Sequence, residues 1–355
     1  MRLDELAADP AGLTNPFSSL YEIVFQLTMR VVGATEIAND REAVAKMLHQ
    51  YELVEESGTP FFVMFPWIPT PSRFRRLWGG TQIYMTFDKW VNDRRKTGRR
   101  EQDPMQFLMD RGESTKEIIE FVIGALFAGQ LNSGINAAWM VLFLARSPEW
   151  LAASKREIAA VADRYAPDKS QSLPDRLAQV PLEAWEGGFP VAEACLRESI
   201  RFVAPGALMR KNISGGPITL PDGNVIPKDF FATYHIGDVH YNPSIYPDPD
   251  TYDPGRYVNL DGTPVASPQG VNKPDSDRNY QFIGWGAARH PCLGMRFAKM
   301  EMNVILAFWL AYFDYEVVKP ATGMPMPDKQ ALAASKPKEE IVVRYWKAGT
   351  EKPKA

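Results

Sequence analysis

Residues 285–294 read Trp285-Gly286-Ala287-Ala288-Arg289-His290-Pro291-Cys292-Leu293-Gly294. A lone cysteine stands between glycines, directly ahead of an apolar stretch whose spacing predicts a helix from about Leu293 to Phe313. Glycine lets backbone come close to a flat ligand. A helix beginning at the sulfur turns the positive end of its dipole toward it. Pro291 holds His290 extended and stiffens one side of the loop. Such a loop suits a single strong donor to a metal in a flat macrocycle. The competing reading of an isolated cysteine before a helix is a small buried hydrophobe.

Upstream, Glu198-Ser199-Ile200-Arg201 places a carboxylate and a guanidinium on one face of a helix predicted from about Val191 to Phe202. Exposed, such a pair is worth roughly tenths of a kcal/mol; buried, it needs a further partner. Asp253-Pro254-Gly255-Arg256-Tyr257, closing an irregular Pro- and Asp-rich stretch that begins at Asp238, supplies one in Arg256. Nearer the start the chain reads as helix after helix, with apolar residues at Leu20, Ile23, Val24, Leu27 and Val31 and again from Val44 to Leu48. The longest periodic stretch, from about Ser114 to Arg146, is apolar almost all round and belongs in the middle of a protein. Its waist, Ala128 to Gly134, breaks the pattern and reads either as a kink or as backbone opened toward a ligand. Pro60, Pro66, Pro69 and Pro71 bracket the apolar run from Phe61 to Ile68, either a buried loop or a membrane or partner contact. Short strands are expected near Ile218–Leu220 and Gly223–Val225 about the turn Pro221-Asp222-Gly223, and residues 347–355 as a loose polar tail.

A chain of 355 residues with 45% apolar and 12% aromatic residues can bury a large core. Its 40 basic and 43 acidic residues, without a long block of either sign, argue against a nucleic-acid binder. The run Arg94, Arg95, Lys96, Arg99, Arg100 is expected to be a solvated loop. Cys195 and Cys292 sit in unlike surroundings and support no disulfide framework, which points to a reducing compartment and leaves a thiol free to be a ligand. No apolar run reaches about 18 residues, and Met1-Arg2-Leu3-Asp4-Glu5-Leu6 lacks the order of a signal peptide.

Together these motifs resemble those of the cytochrome P450 family, in its fungal type. The family's Glu-x-x-Arg is met by Glu198 and Arg201, its Pro-x-Arg-aromatic by Pro254, Arg256 and Tyr257, and its cysteine loop by Trp285, Gly286, Cys292 and Gly294, in the family's order. The resemblance implies a mainly α fold with minor β: the cytochrome P450 fold, lacking its N-terminal part, as a single domain over 1–355. It implies haem b (iron protoporphyrin IX) with the Cys292 thiolate as axial iron ligand and Trp285 beside the sulfur. It further implies a structural triad of Glu198, Arg201 and Arg256, with His290 and Arg210 on the haem propionates. Thiolate ligation favours cleavage of bound dioxygen.

Most family members carry an acid and a threonine at the waist of the long helix, where Leu131 and Asn132 stand here. With Gly129 these are the candidate catalytic positions. Ala128-Gly129-Gln130 is similar to the sterol 14-demethylase branch, and Asn132-x-Gly134 to prostacyclin synthase and cholesterol 7-alpha-hydroxylase. An amide orients a water or a substrate oxygen but supplies no proton as an acid does. Ala288 replaces a usual glycine and is expected at negative φ. Trp285 replaces a usual phenylalanine and brings an indole N–H toward the sulfur. A complete member would carry, before residue 1, a membrane anchor, the first sheet and helices that cover the haem. The chain is therefore read as a truncated form of a protein on the cytoplasmic face of the endoplasmic reticulum membrane.

The expected activity is a haem-thiolate monooxygenase acting on a lipophilic molecule: a sterol, a terpenoid or another secondary metabolite. Residues 131–135, 204–208 and the connector in the 60s are the candidate pocket wall. Electrons would come from NADPH-cytochrome P450 reductase docking near Arg289, Arg296 and Lys299, which read otherwise as a solvated basic face. Two alternatives stay open. One is an O2-independent isomerase or dehydratase of P450 type, and the other a non-catalytic truncated remnant.

Overall fold

Several helix starts are written locally as a capping side chain just ahead of the first turn. Asp40 accepts the amides of Glu42 and Ala43, Thr70 that of Arg73, Asp103 that of Gln106 and Ser172 that of Asp175. At Pro71 and Pro104 a proline then opens the helix, where its missing N–H costs nothing. The computed structural model describes residues 2–57, 65, 67–204, 206–265, 280–287, 289–329, 331 and 334–353. In chain order the elements are α1 (Arg2–Ala8), β1 (Leu13–Thr14), α2 (Pro16–Val32), α3 (Thr35–Asn39), α4 (Arg41–Glu56), α5 (Pro71–Thr97), α6 (Pro104–Asp110) and α7 (Thr115–Ala145). There follow α8 (Pro148–Tyr165), α9 (Leu173–Leu177), α10 (Leu182–Gly187), α11 (Pro190–Val203), β2 (Ala207–Lys211), β3 (Ile218–Thr219), β4 (Val225–Ile226), β5 (Phe231–His235) and α12 (Ile236–His240). The last are β6 (Gly286–Ala287), β7 (His290–Pro291), α13 (Met295–Tyr312), β8 (Phe313–Lys319) and β9 (Val342–Lys347). With 55% helix and 11% strand the fold is mainly α with minor β. The expectations for Phe61–Met64, Pro66, Pro205 and Ala288 lie outside the described residues.

The chain divides into two compact units, Met1–Phe17 with Ile135–Ala355, and Ser18–Gly134. In the former, α13 is the hub, packing against α1, α8, α9, α10, α11 and β8. The part of α7 from Ile135 to Leu144 is wholly buried, with Trp139 stacked on Phe143 and Phe143 on Tyr252. That burial accounts for an apolar surface all round in this part; the whole helix is also long and apolar enough by composition to cross a membrane, with 44% of its most apolar window buried. The strands form an antiparallel sheet in the order β1-β9-β8 and three two-stranded pairs, β2-β5, β3-β4 and β6-β7. β9 continues to Lys347, the Gly349 amide binds Asp314 at 2.8 Å, and Lys352 pairs with Glu316 at 2.7 Å.

In the Ser18–Gly134 unit, α4 and α5 pack on each other, burying Met47, Tyr51 and Val54 on one side and Ile83, Phe87 and Val91 on the other. The opposite face of α5 is also apolar, with Phe74, Leu77, Trp78 and Met85 exposed. The waist of α7 is helix throughout. Its small residues serve packing. A Cβ at Gly134 would meet Tyr21 Cδ2 at 2.5 Å and one at Gly129 would meet Thr28 Cγ2 at 3.0 Å, while Gln130 Nε2 donates to the Tyr21 carbonyl at 2.9 Å. The close neighbour is α2, and the exposed side of this stretch carries Phe121, Gly124, Ala128 and Asn132.

The basic run needs a correction as well. Arg94 lies on the buried face of α5, one turn beyond Val91, and is fully enclosed. Its guanidinium binds Glu36 through Nε (2.8 Å) and Nη2 (2.6 Å), and Asp103 through Nη1 (2.8 Å) and Nη2 (2.5 Å). Burial alone would raise the Asp103 carboxyl. Hydrogen bonds from Arg94, Thr35 and Gln106 overcome it and hold the group below the usual carboxylate range. Arg99 and Arg100 pair at the surface with Glu101 and Asp110. Arg94→Ala would strand two buried carboxylates, and its unfolding free energy in urea is expected to fall by about 3–5 kcal/mol. A solvated arginine would cost well under about 1 kcal/mol in the same titration.

Candidate functional site

Helix α11 buries nearly its whole length, including Glu198 and Arg201, both with no exposed side-chain surface. Spaced three apart, the two meet bidentately, Arg201 Nε on Glu198 Oε2 at 2.9 Å and Nη2 on Oε1 at 2.7 Å. The remaining Arg201 donors go to backbone carbonyls of the irregular stretch: His240 (2.7 Å), Pro249 (2.8 Å) and Thr251 (3.3 Å). All five N–H groups are thereby used. Glu198 also accepts from the Asp253 amide (3.1 Å), Arg256 Nε (3.2 Å) and the Tyr257 hydroxyl (3.0 Å). Glu198, Arg201 and Arg256 are thus in one cluster. Arg197 lies over the rings of Tyr257 and Phe282, 4.7 and 4.6 Å from their centroids.

The segment that leads to the cysteine is fastened beside this cluster. Tyr234 donates to the Tyr280 carbonyl (2.8 Å), Tyr246 to that of Gln281 (2.9 Å), and His240 Nε2 accepts the Ile283 amide (3.2 Å). The Ile283 carbonyl takes the Gly286 amide at 2.9 Å, and β6 and β7 close a hairpin that pairs Gly286 with Pro291 and Ala287 with His290. Gly286 stands at φ +76, where a Cβ would collide with the His290 carbonyl, so glycine is required twice over. The Cys292 amide returns to the Trp285 carbonyl at 2.6 Å, and the chain enters α13.

The geometry suits a haem iron. The Cys292 thiol is exposed, Leu293 beside it is 100% exposed, and nothing lies within 4 Å of where a Gly294 Cβ would stand. A flat macrocycle needs that open approach. Gly294 caps α13 with no side chain; the Met295 amide goes to the Cys292 carbonyl at 3.3 Å, and no side chain competes for the other amides of the first turn of this 18-residue helix, whose positive end favours a negative sulfur. His290 is exposed on the same hairpin and Trp285 is half-buried at its base.

The cytochrome P450 family model matches residues 7–344. The chain belongs to the cytochrome P450 family. Among curated relatives, the cytochrome P450 monooxygenase nsrP of Aspergillus novofumigatus is 36% identical over 324 residues, covering 89% of this chain and 60% of that protein. The cytochrome P450 monooxygenase dmxR5 of a Cryptosporiopsis species is 34% identical, covering 95% and 65%. The sterol 14-demethylase of Arabidopsis thaliana is 29% identical, covering 81% and 55%. A solved P450, the retinoic acid-bound cyanobacterial CYP120A1, superposes with a TM-score of 0.69 at 18% identity, over 98% of this chain and 71% of that one. The chain spans 60–65% of the length of the fungal relatives it matches first. P450 membership implies a haem-iron cofactor.

The other positions named from the sequence fall on several elements. Arg210 is exposed on β2 with its guanidinium turned onto the Met209 carbonyl at 2.8 Å. Gly129, Leu131 and Asn132 belong to the Ser18–Gly134 unit, with Leu131 half-buried and Asn132 exposed. Arg296 is held by Glu186 at 2.7 Å and Lys299 by Glu193 at 3.5 Å, while Arg289 is exposed. Sequence reasoning missed His240 and the hydroxyl of Tyr257. The signal for His240 was a lone histidine opening the Pro/Asp stretch, with no periodicity to assign it a face.

Burial, then the charges of Arg201 and Arg197, push the His240 imidazole down from 6.5 to about 3. The fold binds the neutral ring, so between those values the unfolded chain holds a proton that the folded one lacks. The contribution is present above about pH 6.5 and is lost as pH falls toward about 3, at about 1.4 kcal/mol per pH unit. Urea unfolding followed over this window is expected to show that slope, and His240→Gln, whose amide does not titrate, to lose this part of it.

Proposed function

We propose that this chain is the iron-holding portion of a P450 monooxygenase that oxidises a lipophilic molecule, a sterol, terpenoid or other secondary metabolite. The observation that carries the reading is the exposed Cys292 thiol, set by a glycine hairpin at the start of α13. The names of the fungal relatives, all cytochrome P450 monooxygenases, support the reaction class. Cys292 would bind the iron of haem b, Gly286 and Gly294 would let backbone approach the macrocycle, and Trp285 would pack beside the sulfur. His290 and Arg210, both exposed cations or hydrogen-bond donors, would hold propionates. Thiolate-held haem iron, when bound, supplies activation of dioxygen, one atom entering the substrate and the other leaving as water on two electrons from NADPH.

The exposed stripe of Phe121, Gly124 and Ala128 leading to Asn132 supports an apolar substrate with one polar orienting group. Asn132 would orient a water or a substrate oxygen, and Leu131 and Gly129 would shape its surroundings. The absence of an acid at 131 or 132 keeps an isomerase or dehydratase as the second reading. NADPH-cytochrome P450 reductase is the electron source of the first; Arg289 supports docking on the Cys292 side, and the pairing of Arg296 and Lys299 with glutamates reduces their part in it. Haem added to the purified chain, reduced and exposed to carbon monoxide, is expected to give the red-shifted Soret band of thiolate ligation. Cys292→Ala should abolish that band, and its persistence would sink the assignment. In the full protein, turnover needing both NADPH and O2 separates oxygenation from isomerisation.

Association with a membrane, that of the endoplasmic reticulum in the family's pattern, is supported by Trp67, 69% exposed, together with Phe74, Leu77, Trp78 and Met85 along α5. A helix apolar on its buried face and again on its solvent face leaves surface that water penalises and a lipid interface accepts. Cosedimentation with phosphatidylcholine and phosphatidylserine vesicles is expected to weaken about tenfold or more in the double variant Phe74→Glu, Trp78→Glu. Unchanged binding would remove this face from the membrane contact.

A further inference from the structure

The three side chains that fasten residues 280–283 are not equivalent. Tyr234 and Tyr246 each donate a hydroxyl proton to a carbonyl, and a hydroxyl rotates to suit its acceptor. His240 receives an amide proton, from Ile283, on Nε2. A backbone amide only donates, so Nε2 carries no proton, and the neutral ring must hold it on Nδ1. That nitrogen lies 3.2 Å from the Arg201 carbonyl, which accepts it. The Arg201 carbonyl belongs to the last turn of α11, where carbonyls have no partner in their own helix. The His240 carbonyl in turn takes Arg201 Nη1 at 2.7 Å. The ring is fully buried and stacked on Phe282, centroids 5.2 Å apart and planes 12° apart.

We propose that His240, locked in its Nδ1–H tautomer, is the positioning residue that ties the end of α11 and its ion cluster to the Cys292 loop. The link is continuous: Arg201 to His240, His240 to Ile283, the Ile283 carbonyl to the Gly286 amide, and Gly286 to the hairpin whose base bonds Trp285 to Cys292. No other ionisable side chain makes the second of these bonds among the described residues. A protonated ring would set a second N–H against the Ile283 amide, and the opposite tautomer would do the same. The role deepens the reading of Cys292 as iron ligand and rests on it only in its last link.

The first test needs no variant. In the chain labelled with 15N at its four histidines, the His240 ring is expected to show a protonated Nδ1 and a bare, hydrogen-bonded Nε2. A protonated Nε2 would overturn the proposal. The second test uses His240→Gln, whose side-chain oxygen can accept from Ile283, and His240→Asn, whose shorter side chain can reach only the Arg201 carbonyl. In the Asn variant, amide exchange at Ile283 and Cys292 is expected to quicken about tenfold while that of Glu198 and Arg201 is unchanged. On adding haem, the reduced carbon monoxide spectrum should move away from the thiolate band in the Asn variant and return toward it in Gln. Tyr246→Phe, which removes the neighbouring bond to Gln281, should lower stability without moving the spectrum. Equal exchange and equal spectra in wild type and the Asn variant would overturn the role. If Cys292→Ala alone kept the thiolate band, the ligand assignment would fail, while the exchange result would still stand or fall by itself.

Discussion

A charge taken out of water costs several kcal/mol even after the protein relaxes around it, and Glu198 and Arg201 are both wholly out of water. Their mutual attraction offsets that cost only because the geometry leaves neither group short of partners. The guanidinium spends two N–H bonds on the carboxylate and three on carbonyls of His240, Pro249 and Thr251. Those carbonyls come from a stretch with no ladder of its own and little helix. The ion pair therefore supplies the hydrogen bonding that secondary structure does not. The stretch cannot shift without stranding a buried cation, and the cation cannot leave without stranding three carbonyls.

Everything around the thiol inherits this rigidity. Tyr257 and Arg256, at the end of the irregular stretch, close on the same carboxylate, and Arg197 covers the rings of Tyr257 and Phe282. Phe282 begins the segment that becomes the hairpin. Gly286 then reverses the chain at a positive φ where any Cβ would strike the His290 carbonyl, and Cys292 is delivered to the start of α13, the hub helix of its unit. An exposed thiol on a free loop would sample many positions. Here the carbonyls of Tyr280 and Gln281, the amide of Ile283, the hairpin pairing and the bond from Cys292 to Trp285 hold the segment behind it, so the exposed donor sits on a fixed base.

The part of this that sequence made legible is the part governed by spacing. A Glu and an Arg three apart share a helix face, a Pro-Asp-Gly turn separates β3 from β4, and a glycine-flanked cysteine before an apolar run marks the α13 start. Spacing was silent where one position changes face within a run of like residues. Arg94 and Arg95 differ by about 100° around α5, which buries the first against Glu36 and Asp103 and leaves the second at the surface; a basic run read by composition hides that difference. The waist of α7 misled in the other direction. Gly129 and Gly134 looked like interruptions of a helix, but small residues also mark where a neighbouring helix comes close, and only the fold brings Thr28 and Tyr21 to them. His240 had no pattern at all, because its partners are two backbone groups distant in sequence.

The two buried ion clusters solve one problem by the same means. Arg94 stands in the last turn of α5 and Arg201 in the last turn of α11. A helix end presents carbonyls without partners and the negative end of its dipole, and a guanidinium there is favoured before it touches any carboxylate. Its planar fork then fixes direction as well as charge, which a lysine cannot do. In one unit the fork gathers Glu36 and Asp103 and so joins α3 and the start of α6 to the end of α5; in the other it gathers Glu198 and the irregular stretch. A mainly helical chain with long links has few sheet ladders to hold those links in place. A buried arginine at a helix end is the substitute, and the loop that carries Cys292 is positioned downstream of one.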